Sequence, residues 1–321
     1  MHRYPTFRHH GILLAAGLLL ALVPAFLPAP AGATIALDPA WEPLMTRLIG
    51  DGYSPDTLFS LFTRPEVRYD PDAMGKKIRH LYRRKYKPKE DEPAKTSQEP
   101  RERVTVYDVH LTPEKLADII VFRVENKAFF DAVEEQYGVP PDLVLSILVI
   151  ESKLGEFLGN NTSFNNLASM ANSQAYADVA DYLDQYEPSE EQKKWVEEKI
   201  KTKADWAYKE LVALIQYAEA NKLDPTTLKG SIYGAIGLCQ FMPSNAIRLG
   251  RDGDGNGVVD LFSPPDAIMS VGSFLSDAGW DNDLSKKKKI KVIKRYNPDD
   301  YYAKMVLLIA GKIGRSALAD Y

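Results

Sequence analysis

The sequence is poor in the two residue types that most often build disulfides and metal centres. It contains one cysteine, Cys239, and five histidines among 321 residues. A lone cysteine cannot close an internal disulfide. Beyond the N-terminal segment only His80 and His110 remain, too few for the histidine-rich zinc site that many exported peptidases and amidases use. These absences remove several classes of hydrolase.

An excess of positive charge is also absent. The 40 lysines and arginines are outnumbered by 44 aspartates and glutamates, which gives a formal net charge of −4 at pH 7. This balance argues weakly against nucleic acid as a partner, because proteins that bind it present a clustered basic face. The hydrophobic fraction of 45% and the charged fraction of 26% are ordinary for a globular protein of one large or two modest domains.

The first residues predict a secretory signal peptide. Basic residues, Arg3 and Arg8 among them, precede an apolar run at residues 12–23, and the Ala-Gly-Ala at 31–33 then provides a small-residue cleavage site. This order is typical of a signal peptide, which we place at residues 1–33. An uncleaved anchor is the less favoured alternative, because the run is short for a bilayer span. We expect an exported protein with no stable membrane span after cleavage.

The rest of the chain divides into two helical parts around a charged segment. Short amphipathic patterns predict a helical N-terminal extension at residues 34–86. Residues 87–102 are polar, charged and contain prolines, which predicts a linker or mobile loop. Residues 103–321 are the predicted main domain, with 103–107 as the best strand candidate. The predicted fold class is mostly α, with helices from Thr112 to Tyr137, up to Glu151, from Trp206 to Asn221, from Ser263 to Ala278 and from Tyr301 to Ile313.

One carboxylate interrupts the most apolar stretch of the main domain. Seven of the eight residues from Leu143 to Ile150 are large aliphatics, and Glu151 follows them. A helix that is apolar on every side lies in a core, where burying a bare charge is costly. Desolvation raises the pKa of such a carboxyl, which suits a general acid that works near neutral pH. Glu151 is therefore the candidate catalytic residue, and internal pairing is the alternative.

A glycine-rich segment, Gly234–Ser244, is the second candidate. Two glycines, Gly234 and Gly237, allow its backbone to bend or to approach a ligand closely. Gln240 lies among apolar neighbours, where a buried amide needs partners for both its oxygen and its nitrogen. The segment is either part of a binding site or a turn and short helix in which Gln240 satisfies a local backbone group.

The third candidate is a cation loop that begins at Asp252. Its spacing fits the calcium-loop pattern of oxygen ligands at alternate positions around a glycine. Ser263 replaces the usual final glutamate, and Asp260 and Asp266 could compensate for it. A structural Ca²⁺ (or Na⁺) is expected rather than a sensor, since no second loop pairs with this one; an acidic turn without an ion is the alternative. The expected ligands are Asp252, Asp254, Asn256, the carbonyl of Val258 and Asp260.

Two further segments near the C-terminus are weaker signals. Arg295–Pro298, with Tyr301 and Tyr302, combines aromatic faces with an amide, which suits carbohydrate. Aromatic residues near a helix start are more often packed in a core or at its rim. Lysines at 286–289 form a basic patch that is explained by solubility, with an anionic polymer as a lesser alternative.

Together these motifs resemble the B-type family of lytic murein transglycosylases. The resemblance is carried by Glu151-Ser152-Lys153-Leu154-Gly155 after a Tyr-Gly-Val-Pro-Pro start, by Gly234–Ser244, by the cation loop that follows directly, and by Tyr296-Asn297. It covers roughly residue 111 to the C-terminus and, more faintly, residues 41–86. The chain is longer than expected for the family between Glu151 and Gly234, and we assign the excess to the charged segment at 187–203.

The resemblance implies a lysozyme-like helical fold and a reaction on peptidoglycan. Members of the family cleave the glycan strand between N-acetylmuramic acid and N-acetylglucosamine without water and leave a 1,6-anhydro ring. Glu151 matches the family's acid, which then acts as base, and no cofactor is implied for catalysis. A hydrolytic muramidase and a non-catalytic peptidoglycan-binding protein are the alternatives, and periplasmic location is expected. The implied substrate-binding residues are Ser152, Tyr233, Gln240, Tyr296, Asn297 and Tyr302.

Overall fold

The computed structural model describes residues 37–87 and 111–319. The predicted signal peptide at 1–33, nearly all of the predicted linker at 87–102 and the strand candidate at 103–107 lie outside these residues.

The described residues are mostly helical, as the sequence predicts. The one sheet within them is a two-stranded antiparallel pair, β1 (Asn161–Thr162) and β2 (Lys229–Gly230), in which Asn161 pairs with Gly230 and Thr162 with Lys229. Short 3₁₀ turns lie at Pro39–Trp41, Tyr176–Tyr182 and Asp184–Tyr186. The helices are α1 (Glu42–Gly50), α2 (Pro55–Phe62), α3 (Asp72–Tyr86), α4 (Pro113–Glu125), α5 (Lys127–Tyr137), α6 (Pro141–Ser152), α7 (Ser163–Asn172), α8 (Glu190–Ala220), α9 (Pro243–Leu249), α10 (Pro264–Asp277), α11 (Lys286–Ile293) and α12 (Asp300–Ala319).

Local sequence signals explain where several helices begin. The Thr112 hydroxyl accepts from the N–H of Lys115, and a proline opens α4, as predicted. Ser189 and Gln192 form a capping box at the start of α8. The single helix predicted from Thr112 to Tyr137 is instead two, α4 and α5, separated at Asn126.

Helix α8 is much longer than the prediction of Trp206 to Asn221. It begins at Glu190, so the charged segment at 187–203 forms mainly the first half of this helix. Val196 and Ile200 are fully buried there and lie four residues apart on one face. Two apolar residues among so many charged ones do not give a helical pattern that can be recognised from the sequence. Packing against the rest of the fold stabilises this part of the helix.

Residues 37–87 share one hydrophobic core with the residues from 111 onward. The Trp41 and Phe62 rings are both buried, and the Phe62 ring centroid lies 5.2 Å from that of Phe164 on α7. Asn172 donates from its side-chain amide to the Ala40 carbonyl and accepts from the N–H of Leu44. The N-terminal helices are therefore joined to α7 by both packing and hydrogen bonds.

Helix α6 lies in the centre of this core and carries Glu151 at its last turn. Leu143, Val144, Leu145, Ile147 and Leu148 are almost completely buried, as expected of a helix that is apolar on every side. The helix packs against α12, α10 and α5. It ends at a left-handed residue, Lys153, with φ 53°. The buried helix thus holds one carboxyl where the core meets the surface.

Candidate active site

Glu151 receives a short hydrogen bond from a tyrosine on a neighbouring helix. The hydroxyl of Tyr302, on α12, donates to Oε1 of Glu151 at 2.5 Å. Burial raises the pKa of Glu151 to about 7, while the hydrogen bond from Tyr302 acts in the opposite direction. The expected upward shift in pKa is therefore confirmed, and its cause is desolvation.

Stacked aromatic rings hold Tyr302 in place. The ring of Tyr296 stacks on that of Tyr302, with centroids 6.4 Å apart and planes 11° apart. Tyr296 also contacts Phe274 edge-on at 4.7 Å, and its hydroxyl donates to the Cys239 carbonyl. Rings in these geometries favour one another beyond simple burial. Tyr302 is buried, and the contact that its hydroxyl makes is the hydrogen bond to Glu151. Tyr296 is partly exposed.

The glycine-rich segment folds into two tight turns beside α6. Gly237, with φ 74°, accepts at its carbonyl from the backbone N–H and the side-chain Nε2 of Gln240. Ile236 and Phe241 pair across this turn. The predicted local satisfaction of Gln240 is therefore confirmed for its amide nitrogen. Its Oε1 accepts no hydrogen bond from residues 37–87 or 111–319, and the side chain is partly exposed.

Ser152 fixes this segment to helix α6. Its hydroxyl donates to the Leu238 carbonyl at 2.8 Å and accepts from the N–H of Gly155 at 3.0 Å, and only 1% of the residue is exposed. This burial argues against the substrate contact predicted for Ser152. The structure gives it a positioning role instead, because it joins the end of α6 to the turn that carries Gln240.

Glu210 holds the C-terminal end of the glycine-rich segment, at Ser244. The sequence patterns do not point to this buried acid. Glu210, on α8, is only 7% exposed. Its two carboxylate oxygens accept from the backbone N–H of Ser244 at 3.0 Å and from the Ser244 hydroxyl at 2.9 Å. A carboxylate at the start of α9 also complements the helix dipole. No sequence signal distinguishes Glu210 from the many other glutamates of α8.

Tyr233 and Asn297 are partly exposed at the edges of this arrangement. Tyr233 directly precedes the glycine-rich segment, in a turn where the Ser231 hydroxyl accepts from its N–H. The Lys77 ammonium lies 4.3 Å from the Tyr233 ring centroid. Asn297 directly follows Tyr296, and its N–H donates to the Ile293 carbonyl. The structure thus places Tyr302 and Tyr296 beside Glu151. Gln240 directly follows Cys239, whose carbonyl accepts from Tyr296, and Tyr233 lies on a separate turn.

The predicted cation loop brings three carboxylates together, but they are not the expected set. Ligand atoms of Asp252, Asp254 and Asp266 all lie within 4.8 Å of one another. Asp260 is not in this cluster, and its carboxylate accepts from the N–H of Phe262. Asp266, one of the two acids expected to compensate for Ser263, completes this cluster, and the ligand role of Asp260 stays a prediction.

Backbone N–H groups hold the loop around these carboxylates. Asp266 is fully buried and accepts from the N–H groups of Gly253 and Asp260, at 2.7 and 2.6 Å, so that it joins both ends of the loop. Asp252 accepts from three loop N–H groups, including that of Gly257 at 2.8 Å. Asn256 Oδ1 accepts from the N–H of Val258 at 2.8 Å. Clustered oxygen atoms of this kind are the ligands that hard cations prefer.

A large cavity lies away from Glu151. It has a volume of about 730 Å³ and lies between α1, the end of α7 and α8, where Arg47, Gln174 and Lys201 are among the lining residues. None of the residues grouped around Glu151 lines it.

In the part of the chain described here, no helix combines the length and apolarity needed to cross a bilayer.

The chain belongs to the family of the transglycosylase SLT domain, which matches residues 37–291. The family resemblance expected from the motifs is thereby confirmed. Among curated proteins, the membrane-bound lytic murein transglycosylase B of Escherichia coli (strain K12) is 28% identical over 170 residues, which are 53% of this chain and 40% of that protein. The chain thus matches less than half the length of that relative.

Solved structures share the fold. The Escherichia coli lytic transglycosylase SLT35 in complex with bulgecin A is 18% identical, with a TM-score of 0.65 over 89% of this chain and 96% of that chain. SLT35 in complex with calcium gives 17% identity, the same coverage and a TM-score of 0.63. SltB3 from Pseudomonas aeruginosa, in complex with NAG-NAM-pentapeptide, gives 17% identity and a TM-score of 0.60 over 86% of this chain and 80% of that chain.

Proposed function

We propose that this protein is a peptidoglycan lytic transglycosylase that cleaves the glycan strand between N-acetylmuramic acid and N-acetylglucosamine. The observation that carries the proposal is the carboxyl of Glu151, which burial brings to a pKa of about 7 in a fold of the SLT family. A carboxyl with that pKa is partly protonated near neutral pH and can both give and accept a proton.

Glu151 acts twice in the proposed reaction. Its protonated form donates to the glycosidic oxygen, so that the bond to the muramic C1 breaks and the N-acetylglucosamine end leaves. The resulting carboxylate removes the proton from the C6 hydroxyl of the same muramic residue, and that oxygen bonds to C1 to close the 1,6-anhydro ring. Tyr302 holds the carboxylate through the hydrogen bond to Oε1. Glu151 ends protonated, and no water is consumed.

The surroundings of Glu151 favour this route over hydrolysis. Glycosidases that use water or a covalent intermediate place a second carboxylate across the scissile bond, roughly 5–9 Å from the first. Within residues 37–87 and 111–319, desolvation and the hydrogen bond from Tyr302 shift the pKa of Glu151, and no carboxylate contributes to that shift. Substrate contact is assigned to the partly exposed Gln240, to Tyr296, to Asn297 and to Tyr233. The amide oxygen of Gln240 has no partner among the described residues and can accept from a sugar hydroxyl.

Incubation with purified sacculi tests the function against the alternative of a binding protein. A transglycosylase releases soluble muropeptides from sacculi at a rate proportional to enzyme. A non-catalytic protein of the same fold would bind the sacculi and release no fragments, and that outcome would contradict the proposal.

The rate should depend on pH through Glu151. Because the reaction begins with the protonated acid, kcat/KM is expected to fall as pH rises through about 7. Tyr302→Phe removes a hydrogen bond that lowers the pKa of Glu151, so this fall should move to higher pH. Tyr301→Phe is the matched control, since Tyr301 is 59% exposed and adjacent in sequence. Identical pH profiles for the wild type and Tyr302→Phe would contradict the assignment.

A structural calcium ion is proposed for the loop at Asp252. Side-chain oxygens of Asp252, Asp254 and Asp266 would hold it, with Asn256, the Val258 carbonyl and Asp260 as additional ligands, and a calcium complex of SLT35 supports the proposal. The ion would neutralise three carboxylates that otherwise repel one another. It has no part in the proposed proton transfers.

Calcium should therefore stabilise the protein without being needed for catalysis. We expect millimolar Ca²⁺ to raise the thermal midpoint by several degrees over EDTA, because a ligand that binds only the folded state stabilises it. Asp266→Asn should remove most of this response, and Asp283→Asn, at an exposed position outside the cluster, should retain it. An unchanged midpoint, measured by calorimetry, would contradict the cation site.

Export is proposed on the basis of residues 1–33, since peptidoglycan lies outside the cytoplasmic membrane. The helical extension at 34–86 and the main domain at 103–321 remain our proposed division of the chain. Their shared core suggests that the extension supports the main domain rather than moving independently.

A further inference from the structure

The last two helices concentrate positive charge in a chain that is acidic as a whole. Residues 284–315 contain ten lysines and arginines and two aspartates, whereas the formal net charge of the whole chain is −4. Helix α11 packs against α12, which brings the two sets of charges together. The exposed lysines of the two helices are named the basic surface; they are Lys286, Lys287, Lys288, Lys291 and Lys304.

The lysines of the basic surface have no internal partners. Two neighbouring lysines do have them, since Lys294 pairs with Asp300 and Lys289 donates to the Asn282 carbonyl. In the part of the chain that the structure describes, the side chains of the basic surface form no ion pair and no hydrogen bond. Their charges are therefore available to a partner outside the protein.

Three of these lysines lie where a helix is least favourable to positive charge. Lys286, Lys287 and Lys288 form the first turn of α11, and that turn contains no acid. Ser285, which precedes them, makes no capping hydrogen bond through its side chain. Because the positive end of the helix dipole lies at this turn, cations there lower the stability of the helix. A placement that costs stability without an internal contact indicates a role outside the fold.

Apolar side chains lie beside the lysines. Leu308, which is 40% exposed, lines a groove of about 330 Å³ between α11 and α12. Tyr301 is 59% exposed and lies on the same face of α12 as Lys304 and Leu308, because residues three, four and seven positions apart share one face of a helix. The residues that line the groove are Leu284, Lys286, Lys289, Lys304, Leu307 and Leu308.

This combination fits the surface of an anionic membrane. Flexible lysines without fixed partners suit charge that is spread over a surface, whereas arginine is better suited to a single carboxylate or phosphate in a defined geometry. Leucine and tyrosine beside lysines are typical of side chains at the boundary between lipid headgroups and acyl chains. A purely polar anion would leave Leu308 and Tyr301 in water.

The active site lies on the other side of α12. Tyr302, which donates to Glu151, and Val306 are buried and lie opposite to Lys304 and Leu308 on this helix. A membrane in contact with the basic surface therefore leaves Glu151 accessible to its substrate.

We propose that the basic surface binds the protein peripherally to an anionic phospholipid membrane. The lysines lie among the headgroups, and Leu308 and Tyr301 lie at the edge of the acyl chains. The inference does not depend on the proposed reaction, because no residue of the basic surface takes part in it.

Binding to vesicles tests the inference on residues 34–321. This form lacks the apolar run at 12–23, which is itself able to enter lipid, and it keeps the shared core of the described residues. Cosedimentation is measured with vesicles of phosphatidylcholine alone and with vesicles of phosphatidylcholine and phosphatidylglycerol in equal parts, at low and at high salt. Binding to purified sacculi is measured in parallel.

Two triple variants lose the same charge from different helices. The first combines Lys286→Gln, Lys287→Gln and Lys288→Gln on α11. The control combines substitutions of three exposed lysines that lie on α8: Lys194→Gln, Lys201→Gln and Lys209→Gln. Leu308→Gln tests the apolar contact separately. Thermal midpoints show whether each variant is folded, and that of the α11 variant should equal or exceed the wild-type value because cations leave the start of a helix.

We expect the wild type to bind the anionic vesicles alone, and more weakly at high salt. The α11 variant should bind them at least about 30-fold more weakly, because each lysine near a charged surface contributes roughly fivefold. The α8 control should lose less than about threefold, since its lysines are not held at the membrane. Leu308→Gln should weaken binding by at least about threefold through lost apolar burial.

Three results would overturn the inference. Equal losses in the two triple variants would show that net charge alone matters. Binding of the wild type to neither kind of vesicle, or equally to both, would exclude recognition of an anionic membrane. Loss of binding to sacculi in the α11 variant, with no change on vesicles, would assign the basic surface to an anionic polymer instead.

Discussion

Glu151→Gln is expected to reduce glycan cleavage by at least about 1,000-fold, because one side chain supplies both proton transfers and general acid–base catalysis contributes about 10²–10⁴-fold. Glutamine keeps the shape of the side chain and can still accept the hydrogen bond from Tyr302. The measurement is the release of soluble muropeptides from sacculi. Glu156→Gln, at an exposed position five residues further on, is the control and should retain full activity. A Glu151→Gln protein with a tenth of wild-type activity would contradict the assignment.

The same substitution should affect stability in a pH-dependent way. The pKa of Glu151 is about 7 in the folded protein against an ordinary value of 4.5, so the folded state holds its proton more tightly than the unfolded state. The stability that this proton supports is complete at low pH and is lost as pH rises from about 4.5 through 7. Glutamine mimics the protonated form at every pH. The thermal midpoints of the two proteins should therefore nearly coincide at pH 4.5, and at pH 8 the variant should be the more stable.

Gly237→Ala is expected to cause a large loss of stability. Gly237 has φ 74°, and a Cβ there would lie 2.4 Å from the Leu261 carbonyl oxygen. A non-glycine residue in this left-handed region costs roughly 1 kcal/mol, and overpacking against the backbone adds roughly 1–3 kcal/mol. We expect a total of about 3 kcal/mol, measured by urea unfolding. Activity should fall as well, because the turn that carries Gln240 must move.

Gly279→Ala separates the cost of backbone strain from the cost of the clash with Leu261. Gly279 has φ 86°, similar to Gly237, but a Cβ there would meet nothing within 4 Å. This variant should lose only about 1 kcal/mol from backbone strain and keep its activity. Equal destabilisation by the two alanine substitutions would show that the contact with Leu261 is unimportant and that the turn at Gly237 is not tightly packed.

The sequence predicts the centre of the site well because the relevant signal is local. An acid after seven aliphatics in eight residues is unusual, and burial of α6 in the core explains both the pattern and the raised pKa of Glu151. The starts of α4 at Pro113 and of α10 at Pro264 also follow from local rules. Such features depend on neighbours in the chain and need no knowledge of the fold.

Contacts between segments that are distant in the sequence could not be predicted from it. Ser152 looks like a member of a catalytic motif, but its hydroxyl is used to bind the Leu238 carbonyl, 86 residues away. Glu210 and Ser244 meet only because α8 and α9 pack together. Asp260 and Asp266 are both candidates from the sequence, and it is Asp266, at the start of α10, whose carboxylate lies with those of Asp252 and Asp254. In each case several polar residues look alike in the sequence, and tertiary packing determines which of them makes the contact.

The charged first half of α8 lies outside the helix predicted from Trp206 to Asn221, for a related reason. Residues 187–203 contain many lysines and glutamates and few apolar residues. The structure extends the helix through them by burying Val196 and Ile200, with the capping box at Ser189 as the local start signal. Capping and a sparse apolar stripe together predict this helix better than composition does.

The mass of the muropeptides released from purified sacculi tests the central claim, ring closure by a single acid, most directly. If Glu151 acts alone as acid and then base, the fragments end in 1,6-anhydro-muramic acid and are lighter by one water than fragments with reducing ends. Fragments with reducing ends only would show that water attacks the sugar, and they would contradict the account.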